Sequence, residues 1–171
     1  AWLFLEIGRR IERAWQLTEL IRELACEPAE PENDGSLRLL LELGDSFMTY
    51  RSRYMVQPQV LPALDLIVFD EGNPHSVAFQ LQILVRYLDN LARLLGGPRD
   101  EALRQALSRL QAFDLGRFEG QSFRECRICD PCIALASVLG EISIAATTLS
   151  DRLAMRYFSH VGDVSRQTFA S

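Results

Sequence analysis

Apolar residues recur every three or four positions along most of this chain, a beat that fits packed α-helices and little else. Ile7, Ile11, Ala14, Leu17, Ile21 and Leu24 mark one face of a segment from Trp2 to Leu24. Leu40, Leu43, Phe47, Tyr50 and Tyr54 do the same from Leu37 to Tyr54, with Ser36 as the expected N-cap. A short apolar helix is predicted over Val60–Phe69; the strand reading is rejected because no second strand exists to pair with it. Val77, Leu81, Leu84, Leu88, Leu91 and Leu95 form a coiled-coil-like seam within Pro74–Leu95. Leu103, Ala106, Leu107 and Leu110 face inward from Arg99–Phe113. A last helix is predicted from Pro131 to Phe158, with Leu135, Leu139, Ile142, Ala146, Leu149, Leu153 and Tyr157 inward and Asp130-Pro131 as N-cap and first helical residue.

The interruptions carry turn chemistry. Cys26–Ser36 holds two prolines and an Asn-Asp-Gly turn, Gln57-Pro58-Gln59 and Asp70–Pro74 break the pattern again, and Gly96-Gly97-Pro98 ends a helix. Asn73 or Asp70 is the expected cap of the helix that follows. Leu115–Arg127 has no firm period, and the tail from Gly162 reads as loose. The expected fold is therefore all-α: a single domain over 1–171, an antiparallel helical bundle of five to six helices, with no sheet. With 48% apolar and 24% charged residues there is enough material for a core. No Rossmann fingerprint or P-loop is present.

Charge narrows the partners. The net charge is −5, which argues against nucleic acid. All 18 basic residues are arginine, read chiefly as a codon effect, with bidentate anion binding as the alternative. Pro131–Ser150 contains only one charged residue, Glu141. A central acid costs roughly 2.5–3.5 kcal/mol in a bilayer, so a buried bundle helix is expected there, with no membrane and a cytoplasmic location. The chain opens at Ala1 directly into a helical pattern without a signal-peptide profile, so it is expected to be a cut from a longer protein.

Three constellations carry candidate chemistry. Cys126, Cys129 and Cys132 (CRICDPC) have two consecutive C-x-x-C spacings, which can wrap zinc or an iron–sulfur cluster, with Cys26 as a remote fourth ligand. Cys132 at a helix start is also a candidate redox thiol, and inert thiols are the alternative. Tyr50, Arg51, Arg53 and Tyr54 close one helix, and Asp70, Glu71, Asn73, His75 and Ser76 form a nearby turn. Folded together they can bind a carboxylate or phosphate; otherwise they are ion pairs and caps fixing helix ends. Glu6, Arg9, Arg10, Glu12 and Arg13 crowd one helix, which cannot bury them all, so some face solvent, a partner or a missing half of the domain, with inter-helix salt bridges as the alternative. His75 and His160 sit in no Glu-x-x-His frame, which argues against a di-iron centre.

FLEIGRRIERA (Phe4–Ala14), DSFMTYRSRY (Asp45–Tyr54), LDLIVFDEGNPHSVAFQL (Leu64–Leu81) and SDRLAMRYFSH (Ser150–His160) together resemble the alpha-E domain, a bacterial helical family of unknown function. The resemblance matches the second half of a domain about twice this length, so Gly8–Ala14 looks like the second copy of an internal duplication. It implies an association with circularly permuted ATP-grasp proteins and transglutaminase-like peptidases, in synthesis or processing of a peptide or amide-linked tag. The expected function is a non-catalytic interaction and substrate-positioning module in that system. Alternatives are an enzyme subunit for amide-bond formation or cleavage using the Arg/Tyr/acid pocket, and a metal- or redox-responsive module through the cysteines. No cofactor is expected beyond the possible zinc or iron–sulfur centre. A homo-oligomer through helix one is expected.

Overall fold

A computed structural model describes residues 2–26, 35–55, 57–96, 99–119 and 129–158. The described residues are helical, with no strand among them. They comprise α1 (Trp2–Ile21), α2 (Ser36–Leu43), α3 (Phe47–Tyr54), α4 (Val60–Leu64), α5 (Val77–Leu95), α6 (Glu101–Gln111) and α7 (Asp130–Tyr157). Single wider turns continue α1 over Arg22–Cys26 and α4 over Asp65–Phe69, and a tight turn spans Leu115–Phe118.

Helix α1 is the centre of the fold, packing most extensively on α7 and α5. Its buried residues Ile7, Ala14, Thr18 and Ile21 lie seven or fewer positions apart along one stripe. They meet Leu81, Leu84 and Leu88 of α5 and Leu135, Leu139 and Ile142 of α7 in one continuous core. Each such leucine or isoleucine contributes about 1.5–3 kcal/mol on leaving water. Helix α6 closes the far side through α7 and α5. Its ion pairs fix the register: Arg104 meets Asp89 of α5 at 2.5 Å, and Arg109 meets Glu141. The one acid in the apolar run of α7 is thus answered from a neighbouring helix. By length and composition α7 is apolar enough to cross a membrane, and part of its surface is buried inside the protein.

Several boundaries differ from expectation for local reasons. The helix expected over Leu37–Tyr54 is two helices, broken at Gly44-Asp45-Ser46. Gly44 N–H donates to Leu40 O and Ser46 N–H to Leu41 O, while Asp45 takes a left-handed φ of 51°. A Cβ on Gly44 would lie 3.1 Å from Leu40 O, so a side chain there would press on the turn. As a result Leu43, expected inside, is 57% exposed. Ser36 is the first residue of α2 and Gly35 its N-cap. Helix α5 is capped by Ser76, whose Oγ accepts from Phe79 N–H, rather than by Asn73 or Asp70. Helix α6 begins after Asp100, whose carboxylate accepts from Leu103 N–H. Cys129, one residue earlier than expected, is the N-cap of α7, and Pro131 sits in its first turn. Leu95 at the end of the α5 seam is exposed.

Candidate functional site

The turn between α4 and α5 organises the polar chemistry, because side chains from three helices converge on it. Asp70 opens it. One carboxylate oxygen takes the Arg53 guanidinium at 2.5 Å, and the other takes Gly72 N–H at 2.8 Å. Burial pushes the Asp70 carboxyl up, but the Arg53 and Gly72 hydrogen bonds outweigh it and hold it below the ordinary aspartate range. The Asp70 carbonyl accepts from Ser76 Oγ at 2.6 Å. Asn73 is buried and fully engaged. Its amide nitrogen donates to Leu66 O at 2.9 Å and Ser46 Oγ at 3.1 Å, and its amide oxygen accepts from His75 N–H. Ser46 Oγ in turn donates to Gly44 O at 3.0 Å, linking the turn to the break between α2 and α3.

Tyr50 is fully buried; its hydroxyl donates to Gln57 O at 3.3 Å and accepts from Gln59 N–H at 3.0 Å, stitching α3 to α4. The Tyr54 ring packs tilted against Tyr50 at 4.9 Å, and its hydroxyl donates to Asp65 at 3.5 Å. Burial and the Asp65 charge raise its phenol pKa above the ordinary range. Tyr50, Arg53, Tyr54, Asp70, Asn73 and Ser76 therefore lie in one neighbourhood, tied together as ion pairs, caps and helix-end contacts. Arg51 does not join it: its guanidinium lies over Phe47, beside a surface groove shared with Arg38 and Met55.

The polar set on α1 reaches the same turn from its other side. Arg10 donates to Gln80 Oε1 at 2.9 Å, and the Gln80 amide nitrogen donates to Pro74 O at 2.5 Å. Gln80 is fully buried, so this bridge fixes α1 against the start of α5. Glu6 pairs with Arg9 at 3.1 Å and Arg10 at 3.8 Å, and Glu12 accepts from Gln16. One turn further along, a cavity of about 470 Å³ opens between α1, the Gly44-Asp45 break and the turn. Arg13, Gln16, Asp45, His75 and Gln80 supply its polar wall, and Leu17, Leu20 and Leu43 its apolar wall. His75 Nδ1 lies 3.9 Å from Asp45. Residue spacing had not pointed to Gln16, Asp45 or Gln80. Gln16 and Gln80 carry no charge pattern, and the apolar spacing predicts a continuous helix through Asp45.

The cysteine constellation is only partly visible. Cys132 is buried in the first turn of α7, its Sγ 3.7 Å from Ala25 O, and Cys129 is half-buried. Cys126, His160 and the tail from Gly162 lie outside the described residues. Among the described residues no three His, Cys, Asp or Glu side chains are grouped to hold a metal ion.

Residues 1–158 match the model of the Alpha-E family, described as a predicted alpha-helical domain with a conserved ER motif. An uncharacterized protein of Mycobacterium tuberculosis (strain H37Rv) is 30% identical over 103 residues, covering 60% of this chain and 12% of the relative. A protein of Mycobacterium bovis, also uncharacterized, matches to the same extent. The matched region thus spans only about an eighth of these relatives' length. No solved structure matches the chain. The sequence contains one Glu-Arg dipeptide, Glu12-Arg13.

Proposed function

The chain belongs to the Alpha-E family, and from that premise we propose that it is a non-catalytic helical module that positions a substrate for an ATP-grasp-type peptide (amide) ligase and its peptidase system. What supports this most is the state of the Arg/Tyr/acid cluster. Asp70, Asn73, Ser76 and Tyr50 spend their hydrogen bonds on backbone groups and on each other. A general base or nucleophile needs a reacting partner within hydrogen-bond reach, and these groups are already engaged in holding the turn. The cavity beside it is open and mixed in polarity, as a ligand-holding surface is.

The same reading takes the fold as an antiparallel bundle of five to six principal helices, the C-terminal half of a duplicated domain, working in the cytoplasm. Trp2, Leu5 and Trp15 stay exposed along α1, which supports self-association through that helix. Light scattering at micromolar concentration is expected to show a dimer, and a monomer removes that part of the proposal.

The module reading is tested by a pull-down with purified components. The full chain, immobilised, is expected to retain a purified ATP-grasp-type ligase from the same genome, with retention independent of nucleotide. Failure to retain either that ligase or a transglutaminase-like peptidase from the same genome overturns it.

A further inference from the structure

We infer that the cavity beside Arg13 is a binding site for a zwitterionic amino acid with an aliphatic side chain, and that Arg13 is its carboxylate anchor. The inference deepens the positioning role above and rests on that reading for its biological use, but the binding itself is argued from the cavity.

Arg13 is the exception among its neighbours. Four arginines lie between Arg9 and Arg22. Arg9 and Arg10 pair with Glu6, and Arg22 pairs with Glu19 at 3.1 Å. Arg13 has no hydrogen-bond or ion-pair partner among the described residues, yet it lines the cavity. It is also half of the only Glu-Arg pair in a chain whose family is described by a conserved ER motif. A guanidinium presents a planar fork that matches a carboxylate bidentately. Arg13 is exposed, so its fork stands open at the cavity to take a ligand.

The rest of the wall selects the ligand. Asp45, mostly exposed, places its carboxylate at the cavity, with His75 Nδ1 3.9 Å away. It is the acceptor for an ammonium group. Asp45 is held at φ 51°, a left-handed conformation that aspartate adopts more readily than most residues with a Cβ, and it sits at the cavity rim. Leu17, Leu20 and Leu43 form an apolar wall, and the last is exposed unless something covers it. Cationic fork, anionic acceptor and apolar wall together match carboxylate, ammonium and aliphatic side chain. The volume of about 470 Å³ lies within the range of small-molecule pockets. The floor is preorganised, because Gln80 is locked between Arg10 and Pro74 before any ligand arrives.

The test is a titration of the full chain with L-leucine, followed by amide NMR shifts and calorimetry. Leucinamide, which lacks the carboxylate, and 4-methylpentanoate, which lacks the ammonium, are run in parallel. Saturable shifts at residues around Arg13, Asp45 and His75 are expected with leucine. Arg13→Ala is expected to weaken binding about tenfold or more. Asp45→Asn keeps a residue tolerant of the left-handed backbone and is expected to weaken leucine while leaving 4-methylpentanoate unchanged. No saturable shift with leucine, equal binding of leucine and leucinamide, or an Arg13→Ala protein that binds as wild type would each overturn the inference. The partner pull-down is read separately. Leucine binding with no partner captured sinks the module role and leaves the site standing; partner capture without leucine binding does the reverse.

Discussion

Two arginine-bearing clusters flank the turn between α4 and α5, and they are built from the same residue types to opposite ends. On one side Arg53 closes onto Asp70, and Asn73, Ser76 and Ser46 fill in around them so that each of these side chains has a partner. On the other side Arg13 and Asp45 face a cavity, and Arg13 has no partner among the described residues. A closed cluster converts polar groups into architecture, since each removed group strands its mates. An open cluster stores the same hydrogen-bonding capacity for something that arrives later. This difference predicts where substitutions cost stability and where they cost binding.

The largest expected effect is at Asn73. Asn73→Ala deletes two donors and one acceptor from a buried site, leaving Leu66 O, Ser46 Oγ and His75 N–H short of a partner. Unsatisfied buried groups cost about 1–3 kcal/mol each before relaxation and water entry, so a loss of about 2–4 kcal/mol is expected in chemical denaturation. A loss below about 0.5 kcal/mol, the ordinary size of a surface substitution, would break the contrast.

Ser76 comes next. Ser76→Ala removes the cap on Phe79 N–H and the bond to Asp70 O together. The expected cost is about 1–2 kcal/mol. Ser76→Thr retains the hydroxyl and is expected to recover part of it, which separates loss of the cap from disturbance of the backbone.

The Arg53–Asp70 pair is expected to matter less, because Arg53 is 46% exposed and solvent screens the attraction. Its signature is a pH dependence. The Asp70 carboxyl is held below its ordinary value of 3.8 in the folded chain. The pair's contribution is therefore full above that unfolded value and is lost as pH falls through the lower folded one. Asp70→Asn, which keeps an acceptor for Gly72 N–H, is expected to cost under about 1 kcal/mol at pH 7 and to flatten the acid limb of the stability curve below about pH 4. An acid limb as steep as in the wild-type chain would show that Asp70 is not the titrating group.

How much of this was legible in the sequence follows from what each feature depends on. The helices were legible because burial imposes a period, and Ile7, Ala14 and Ile21 or Leu135, Leu139 and Ile142 show it without knowledge of their partners. The closed cluster was half legible. Arg53, Asp70, Asn73 and Ser76 stood out as a polar set, but the cap fell to Ser76 because the Asn73 side chain is turned inward to Leu66 O. The cavity was not legible. Its rim needs the break at Gly44–Ser46, where a Gly-Asp-Ser turn signal is overridden by apolar spacing that continues from Leu40 to Tyr50. With that break unseen, Asp45 had no reason to face Arg13's helix, more than thirty positions away. Gln80 gave no warning either, since its role is to join Arg10 to Pro74, a contact between distant segments.

The smallest expected stability effect sharpens the comparison most. Arg13→Ala removes a charge that holds no ion pair or hydrogen bond among the described residues, so folding stability is expected to change by less than about 0.5 kcal/mol. The control is Arg10→Ala, one turn back on the same helix, which breaks the bridge to buried Gln80 and is expected to cost about 1–3 kcal/mol. Two arginines of one helix would then separate cleanly, Arg10 as a strut and Arg13 as a waiting hand. If denaturation instead shows Arg13→Ala losing as much stability as Arg10→Ala, Arg13 is part of the packing after all, and the two clusters differ only in how much water they admit.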